Sequence, residues 1–307
     1  MEGSKSDAAS VFATAQWVAA QRDLDTRTDK FIGSNIGGGP DTLASVFAGV
    51  EGERMLAVSS AAGTFGGNRY LIGRSKCQDT VDRVVVCAPD ALSYDLPAVL
   101  ILDSYWMAAL DAGVTQFVIL AAGLDSRPWR MPRLSSAVTV YEVDVAVAVE
   151  YKSSRLAESG TPPPACKRVT VAADLSVPTW PAALVGAGFD PARPSFFLVE
   201  GLLYYLPPDA PAALLRASAA LMAPGSAIAG DIFLNFEAPA FLDSWRAPFT
   251  FDLPSEAAAI ALLEDAGLSR ASLVPSYTAF AGATPPKDTH LVFRAVRSSE
   301  AATTPLA

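Results

Sequence analysis

The feature that most constrains the fold is an alternation of short apolar runs with helix-like stretches that begins after Val114. This alternation is typical of an α/β protein with a largely parallel sheet. The first run, residues 116–121, is apolar almost throughout and leads into Gly123. It therefore predicts a strand that is buried on both faces. A chain of 307 residues, 51% of them hydrophobic, is long enough to surround such a sheet with a sizeable core.

The same pattern predicts further elements along the chain. Strands are expected at 137–143, 168–172, 195–199 and 226–233, and helices at 146–158, at 209–222 and from Ser255 to Gly267. Residues 273–280 and 289–296 are expected to form a last pair of strands, which could be a hairpin. Before Val114 the sequence indicates mainly helices, the clearest over residues 7–25.

Charge and cysteine content exclude several classes of function. The formal net charge of −9 opposes a role that depends on neutralising nucleic-acid phosphates. Cys77, Cys87 and Cys166 are too few and too irregularly spaced for a disulfide framework, which favours a reducing, cytoplasmic location. No uncharged run reaches the roughly 18–20 residues of a membrane helix. Glu2 and Asp7 stand where a secretory signal would carry positive charge.

Missing motifs narrow the chemistry further. The chain has a single histidine, His290, in the predicted last strand, and we expect it to be a satisfied structural residue. The sequence has no G-x-S-x-G elbow, no H-E-x-x-H pair and no phosphate-binding P-loop. The acidic residues are dispersed and lack EF-hand spacing, so no metal site is predicted.

A nucleotide-binding pattern is present at the first strand. Small residues from Ala121 to Gly123 follow the strand, and Asp144 follows the second strand about 20 residues later, where it could accept hydrogen bonds from ribose. Nicotinamide cofactors and S-adenosylmethionine both use such a site. Ala121 and Ser126 replace two glycines of the G-x-G-x-x-G pattern, which disfavours NAD. Carboxylates such as Asp125, Asp144 and Asp174 could hold a cationic sulfonium cofactor. A tight turn between a strand and a helix, with solvated acids and no ligand, would have the same sequence pattern.

Four blocks of sequence resemble a known family. They are Ile-Leu-Ala-Ala-Gly-Leu-Asp-Ser-Arg at 119–127, Val-Tyr-Glu-Val-Asp at 140–144, Ala-Asp-Leu at 173–175 and Glu-Gly-Leu-Leu-Tyr-Tyr-Leu-Pro at 200–207. In order and spacing they are similar to the leucine carboxyl methyltransferase-like family. That family includes a protein phosphatase carboxyl methyltransferase, polyketide carboxyl methyltransferases and other bacterial O-methyltransferases. The resemblance implies a doubly wound, seven-stranded, Rossmann-like methyltransferase sheet that binds S-adenosylmethionine.

The sequence pattern and the resemblance together predict a domain organisation. We expect a helical N-terminal cap, which would include a substrate lid, over residues 1–97. The S-adenosylmethionine-binding methyltransferase domain would occupy residues 98–297, and residues 298–307 would form a flexible tail.

Site residues follow from the matched blocks. The resemblance implies that Ala121 and Gly123 lie against the methionine part of the cofactor and that Asp144 holds its ribose. Asp174 and Leu175 would flank the adenine. Glu200 would approach the amino-acid end of the cofactor, and Tyr205 would lie close to the methyl-transfer site. Asp125, one of the carboxylates that could hold the cationic cofactor, is a further expected cofactor contact. Each has a purely structural alternative, such as a helix-start acid for Glu200 or a core aromatic for Tyr205.

Two departures from the family pattern affect the cofactor site. Ala121 stands where the family usually has the first glycine of the turn. Family members also carry an arginine on the helix before the first strand, where it pairs with the cofactor carboxylate, but the corresponding position here is near Ala98. Arg69, Arg74 or Arg83 could replace it if the segment that follows them is an insertion, and Arg74 is the candidate we favour.

The expected reaction is methyl transfer to a carboxylate or hydroxyl of a small molecule, such as a polyketide-like acid. The scarcity of histidine favours a carboxylate, because a carboxylate is ionised without a base. Protein C-terminal carboxyl methylation, a non-catalytic cofactor- or partner-binding role and a nicotinamide oxidoreductase remain alternatives. Aromatic residues could line an acceptor pocket or belong to the core; they are Phe241, Trp245, Phe249 and Phe251. The sequence does not indicate the oligomeric state.

Overall fold

The computed structural model describes residues 98–235, 250–275 and 290–297, together with residues 16, 43, 46 and 47. The strands in these ranges are β1 (Gln116–Leu120), β2 (Thr139–Asp144), β3 (Lys167–Ala172), β4 (Ser195–Val199), β5 (Ala227–Phe233), β6 (Leu268–Pro275) and β7 (His290–Arg297). The helices are α1 (Ala98–Asp111), α2 (Arg127–Arg130), α3 (Ala146–Glu158), α4 (Trp180–Gly186), α5 (Ala210–Leu221) and α6 (Glu256–Asp265). One turn of 3-10 helix spans Leu203–Tyr205.

The strands form one sheet in the order β3-β2-β1-β4-β5-β7-β6. Strands β1 to β5 are parallel, and β7 runs antiparallel to both of its neighbours. The predicted doubly wound, seven-stranded α/β sheet is therefore confirmed. Because the order reverses between β1 and β4, a crevice is expected at the carboxyl ends of these two strands, where open α/β sheets bind ligands.

Helices cover both faces of the sheet because the side chains of β1 alternate. Val118 and Leu120 pack in one apolar cluster with residues of α4, α5 and α6. Phe117 and Ile119 pack in a second cluster with α1, where Trp106 stacks on Phe117 with ring centroids 4.3 Å apart. Each such buried side chain contributes about 1.5–3 kcal/mol. The two clusters hold the carboxyl ends of the strands in fixed register.

Most element boundaries agree with the sequence. The helix at 146–158 and the strand at 195–199 are as predicted, and the other parallel strands begin and end within two residues of their predicted limits. Ser255 caps α6 as expected, since its side chain accepts the N–H of Ala258 at 3.2 Å. The short helix α4, which starts with proline in its first turn, was not predicted.

The predicted strand at 273–280 was placed too late, because β6 is Leu268–Pro275. Gly267 has a φ of +83° and ends α6, so the strand begins at the next residue. A shift of register interrupts β6, and Arg270 within it has a φ of +50°. This edge strand alternates polar and apolar residues and is solvated on one side, which made its first half resemble a loop.

Most of the predicted N-terminal cap and all of the tail at 298–307 lie outside the described residues. Of the cap, Phe47 is fully buried in a small cluster that includes Leu156 of α3. Among the residues that the structure describes, no helix is both long and apolar enough to cross a membrane.

Candidate functional site

The chain leaves β1 through a turn that is bonded to the end of β2. The N–H of Gly123 donates to Asp144 Oδ2 at 2.6 Å, and the N–H of Val145 donates to Oδ1 at 2.7 Å. Burial raises the pKa of Asp144 above its ordinary value, although both N–H groups act in the opposite direction. A carboxylate oxygen can accept more than one hydrogen bond, so both oxygens retain capacity for two neighbouring hydroxyls, as in ribose.

The backbone of this turn is left-handed at two positions. Ala121 has a φ of +54° and Gly123 a φ of +40°. Glycine adopts this conformation freely, whereas an alanine there costs about 1–2 kcal/mol. The replacement of the family's first glycine by Ala121 thus places a strained residue in the turn, in addition to one methyl group beside the ligand.

A buried arginine joins the turn to the end of β4. Arg127 Nε lies 2.8 Å from Asp103 Oδ1 of α1, and Nη2 lies 2.6 Å from Glu200 Oε2. Nη1 of the same guanidinium pairs with Asp125. The side chain of Arg127 is only 2% exposed, so three carboxylates surround one buried cation. Removal of that cation would leave several buried charges uncompensated.

Two predicted cofactor contacts, Asp125 and Glu200, therefore lie in an ion-pair network. Burial would raise the pKa of Asp125, but Arg127, Arg130 and Lys152 hold it at about 2. Glu200 keeps about a third of its side chain exposed while it pairs with Arg127. Glu200 thus remains accessible at the crevice, whereas Asp125 serves mainly to fix the turn. Their contact with a cofactor stays a prediction.

The helix before β1 carries an acid and no arginine. Asp103 is its buried charge, and it pairs with both Arg127 and Arg130. These arginines lower the pKa of Asp103 although burial opposes them. Arg74, the predicted partner of the cofactor carboxylate, lies outside the described residues. Arg127 and Arg130, the arginines near the turn in the described part of the chain, are already paired with acids.

A second buried network, which the sequence analysis missed, supports the turn from α3. Lys152 Nζ lies 2.5 Å from the carbonyl oxygen of Asp125 and 2.8 Å from Glu142 Oε1. Arg168 binds the other carboxylate oxygen of Glu142 at 2.6 Å and lies over the ring of Trp129. The sequence signal for this network was Glu142, an acid among the apolar residues of β2. A buried carboxylate requires a cation, so a basic partner could have been expected.

Asp174 and Leu175 follow β3 at the same edge of the sheet. Asp174 Oδ1 accepts the N–H and the hydroxyl of Ser176 at 2.8 and 2.6 Å. Leu175 is half-buried against the core. The N–H of Ala173 donates to the carbonyl oxygen of Asp144 at 2.8 Å, which holds the ends of β2 and β3 together. The two predicted adenine contacts thus lie next to the predicted ribose contact.

Two tyrosines follow β4 in the 3-10 turn. Tyr204 is buried, and its hydroxyl donates to Asp231 Oδ2 of β5 at 3.3 Å. Tyr205 is half-buried and packs against Tyr204 with ring centroids 4.8 Å apart. Burial, followed by the charge of Asp231, raises the pKa of both phenols. Both therefore stay protonated at neutral pH. The proton of Tyr204 is used in the hydrogen bond to Asp231, whereas Tyr205 could donate a hydrogen bond to a ligand. The position of Tyr205 at the methyl-transfer site stays a prediction.

His290 differs from the satisfied structural residue that the sequence predicted. Its Nε2 lies 2.8 Å from Asp231 Oδ2, and its ring stacks on Phe233 with centroids 4.4 Å apart. Its Nδ1 is buried and has no hydrogen-bond partner among the described residues. One of its two ring nitrogens is thus satisfied, and the other, although buried, has no hydrogen-bond partner among the described residues.

Other predicted features are placed as follows. Phe251 packs against the core, while Phe241, Trp245 and Phe249 lie outside the described residues. Cys166 is a buried free thiol. The described ranges contain no group of three or more His, Cys, Asp or Glu side chains that could hold a metal ion.

Comparison with known proteins finds a family model that matches part of this chain. Residues 97–219 match the family model described as leucine carboxyl methyltransferase. This segment contains β1 to β4, the turn at Gly123, and the acids at 144, 174 and 200. The match confirms the family resemblance over the part of the chain that carries the candidate site.

Two mycobacterial relatives are provisionally named S-adenosyl-L-methionine-dependent methyltransferases. One, from Mycobacterium avium, is 54% identical over 129 residues, which are 42% of this chain and 41% of the relative. The other, from Mycobacterium tuberculosis H37Ra, is 36% identical over 223 residues, 73% of this chain and 65% of the relative. The matched region thus spans less than two thirds of either relative. A crystal structure of a provisionally named methyltransferase from Thermobifida fusca aligns with a TM-score of 0.47 at 17% identity, over 91% of this chain and 94% of its own.

Proposed function

We propose that the protein is an S-adenosylmethionine-dependent O-methyltransferase that acts on a small-molecule acceptor in the cytoplasm. The observation that carries the proposal is Asp144, whose carboxylate is bonded to the N–H of Gly123 at 2.6 Å and retains capacity for ribose hydroxyls. The names of the relatives and the matched family support the same cofactor.

The order of the strands gives the cofactor a direction along the sheet edge. In the sheet, β3 lies next to β2, which lies next to β1, which lies next to β4. The residues implied for adenine follow β3 and the residue implied for ribose ends β2. The residues implied for the methionine part follow β1, and the residue implied for its amino-acid end follows β4. A cofactor bound in this order would place its reactive end near β4. The acceptor would then approach over β4 and β5, where the tyrosines of the 3-10 turn lie.

S-adenosylmethionine supplies an electrophilic methyl group when it is bound. The protein's contribution would be mainly to hold the acceptor oxygen in line with the bond that breaks, since orientation alone can supply a large part of such catalysis. Asp144 would fix the ribose, and Arg127 would keep Glu200 and the turn in position. Tyr205, which is protonated, would donate a hydrogen bond on the acceptor side, while the hydroxyl of Tyr204 stays bonded to Asp231.

A second candidate is methylation of a protein's C-terminal carboxylate, which the description of the matched family favours. The two are separated by incubating the protein with S-adenosylmethionine and two kinds of acceptor, followed by mass spectrometry. One set is a panel of small phenols and carboxylic acids. The other is a peptide that ends in a free leucine carboxylate, with the amidated peptide as its control. The proposal predicts methylation of small molecules; methylation of the free peptide alone would favour the second candidate.

A further inference from the structure

An Asp–His pair lies on the acceptor side of the crevice and is not used by the function proposed above. Asp231 lies in β5 and His290 begins β7, and these strands are neighbours in the sheet. The side chains of Asp231 and His290 are only 4% and 11% exposed. The carboxyl end of β5 and the amino end of β7 meet at one sheet edge, because the two strands are antiparallel. The pair therefore lies at the edge that carries Gly123 and Asp144.

Asp231 connects this pair to the candidate site directly. Its Oδ1 accepts the N–H of Gly201 at 2.7 Å, and Gly201 follows Glu200 in the chain. Its Oδ2 contacts both the hydroxyl of Tyr204 and Nε2 of His290. Along the sheet, β5 and β7 come next after β4, so the pair lies beyond the end of the predicted cofactor position.

The contacts of His290 define its orientation and its tautomer. Asp231 Oδ2 accepts a hydrogen bond from the Nε2–H group of His290, so the neutral ring carries its proton on Nε2 and a lone pair on Nδ1. Ring geometry directs that lone pair away from Asp231, and stacking on Phe233 holds the plane of the ring. A buried structural histidine would normally have both nitrogens satisfied, whereas Nδ1 has no partner within the described part of the chain.

The ionisable groups around the ring are acids and phenols. Among the described residues, Asp231 contacts the ring, Tyr204 contacts Asp231, and Tyr205 and Glu200 lie close enough to Tyr204 to act on its pKa. Both phenols are held protonated, so neither can remove a proton at neutral pH. Among the described residues at this end of the crevice, Nδ1 of His290 is then the basic atom without a hydrogen-bond partner.

We infer that His290 is the general base of the methyl transfer and that the acceptor is a hydroxyl, a phenol or an alcohol, rather than a carboxylate. This inference rests on the proposed function. Nδ1 of His290 takes the proton of the acceptor hydroxyl while the acceptor oxygen takes the methyl group. The electron pair of the broken carbon–sulfur bond stays on sulfur. The products are a methyl ether, a thioether and an imidazolium paired with Asp231, which then releases its proton to water. Asp231 is a positioning residue.

The first test requires neither cofactor nor acceptor. The chain has one histidine, so selective ¹⁵N-histidine labelling gives the NMR signals of a single imidazole. We expect the neutral wild-type ring to carry its proton on Nε2, with Nδ1 unprotonated. Asp231→Asn should remove this preference, while Tyr204→Phe, which deletes a hydroxyl on the same carboxylate, should retain it. A wild-type ring protonated on Nδ1 would overturn the inference.

The second test separates this inference from the proposed function. S-adenosylhomocysteine should bind His290→Gln as tightly as the wild type, while transfer to phenol and alcohol probes should fall about 100-fold or more, the usual contribution of a general base. If the wild type binds no S-adenosylhomocysteine, the proposed function fails. Two other results would overturn only the inference, provided that the wild type binds S-adenosylhomocysteine. One is methyl transfer by His290→Gln at the wild-type rate. The other is a wild type that methylates no hydroxyl probe. Asp231→Asn provides an independent variant if His290→Gln does not fold.

Discussion

Arg127 Nη2 lies 2.6 Å from Glu200 Oε2, so a residue that follows β1 forms an ion pair with the residue that directly follows β4. These two strands flank the point where the order of the sheet reverses. The ion pair therefore spans the crevice in which the cofactor is proposed to bind, and it links the backbone turn at Gly123 to the acceptor side.

The strained turn predicts an unusual effect of a glycine substitution. Ala121→Gly should stabilise the protein by roughly 1 kcal/mol, because relief of the left-handed strain outweighs the added entropy of the unfolded chain. It should also preserve or tighten the binding of S-adenosylhomocysteine. Denaturant unfolding provides the measurement.

The neighbouring Ala122 is the matched control for this change. It is buried, and its φ is not left-handed. Ala122→Gly should therefore lower the stability by about 0.5–1 kcal/mol. If both glycine substitutions were destabilising, the strain at Ala121 would not be real.

The buried acid of α1 should be essential for stability. Asp103→Ala leaves Arg127 and Arg130 with fewer acidic partners, and the loss of one member of a buried ion pair costs about 3–5 kcal/mol. The exposed pair of Asp111 with Arg133 offers the control, because Asp111→Ala should change the stability little. Urea unfolding of both variants tests this, and equal effects would contradict it.

The same acids predict how stability depends on pH. The pKa of Asp103 is lowered in the folded protein and that of Asp125 is held at about 2, so both carboxylates contribute stability above their unfolded pKa, near 4. This contribution should be lost as the pH falls from about 4 towards 2. The free energy of unfolding, measured between pH 7 and pH 3, should decline less steeply in Asp103→Asn than in the wild type. Parallel curves would show that Asp103 does not titrate with folding.

The strands of the sheet were predicted well because each one is recognisable from its own short stretch of sequence. Strand β4 and helix α3 were found from their own residues, since buried parallel strands and helices carry distinct periodicities. The edge strand β6 was misplaced because one of its faces is solvated and a bulge breaks its alternation.

The site was less accessible to sequence analysis. The matched blocks predicted roles for Asp144 and Gly123, but two of the three acids that pair with Arg127, Asp103 and Glu200, lie on distant segments that only the fold brings together. His290 was taken for a structural residue because its neighbour Asp231 belongs to another strand. Pairings of this kind depend on strand order, which no local pattern encodes.

The central claim is that Asp144 anchors S-adenosylmethionine by its ribose. Its most direct test is calorimetric titration with S-adenosylhomocysteine of the wild type, Asp144→Asn and the surface control Asp111→Asn. A lost hydrogen bond to a charged group is worth about 1.5–3 kcal/mol, so Asp144→Asn should bind at least about tenfold more weakly while the control binds like the wild type. Because burial raises the pKa of Asp144, wild-type affinity should also begin to fall, on acidification, above the pH at which ordinary aspartates protonate. Binding that is equal in all three proteins would contradict the account.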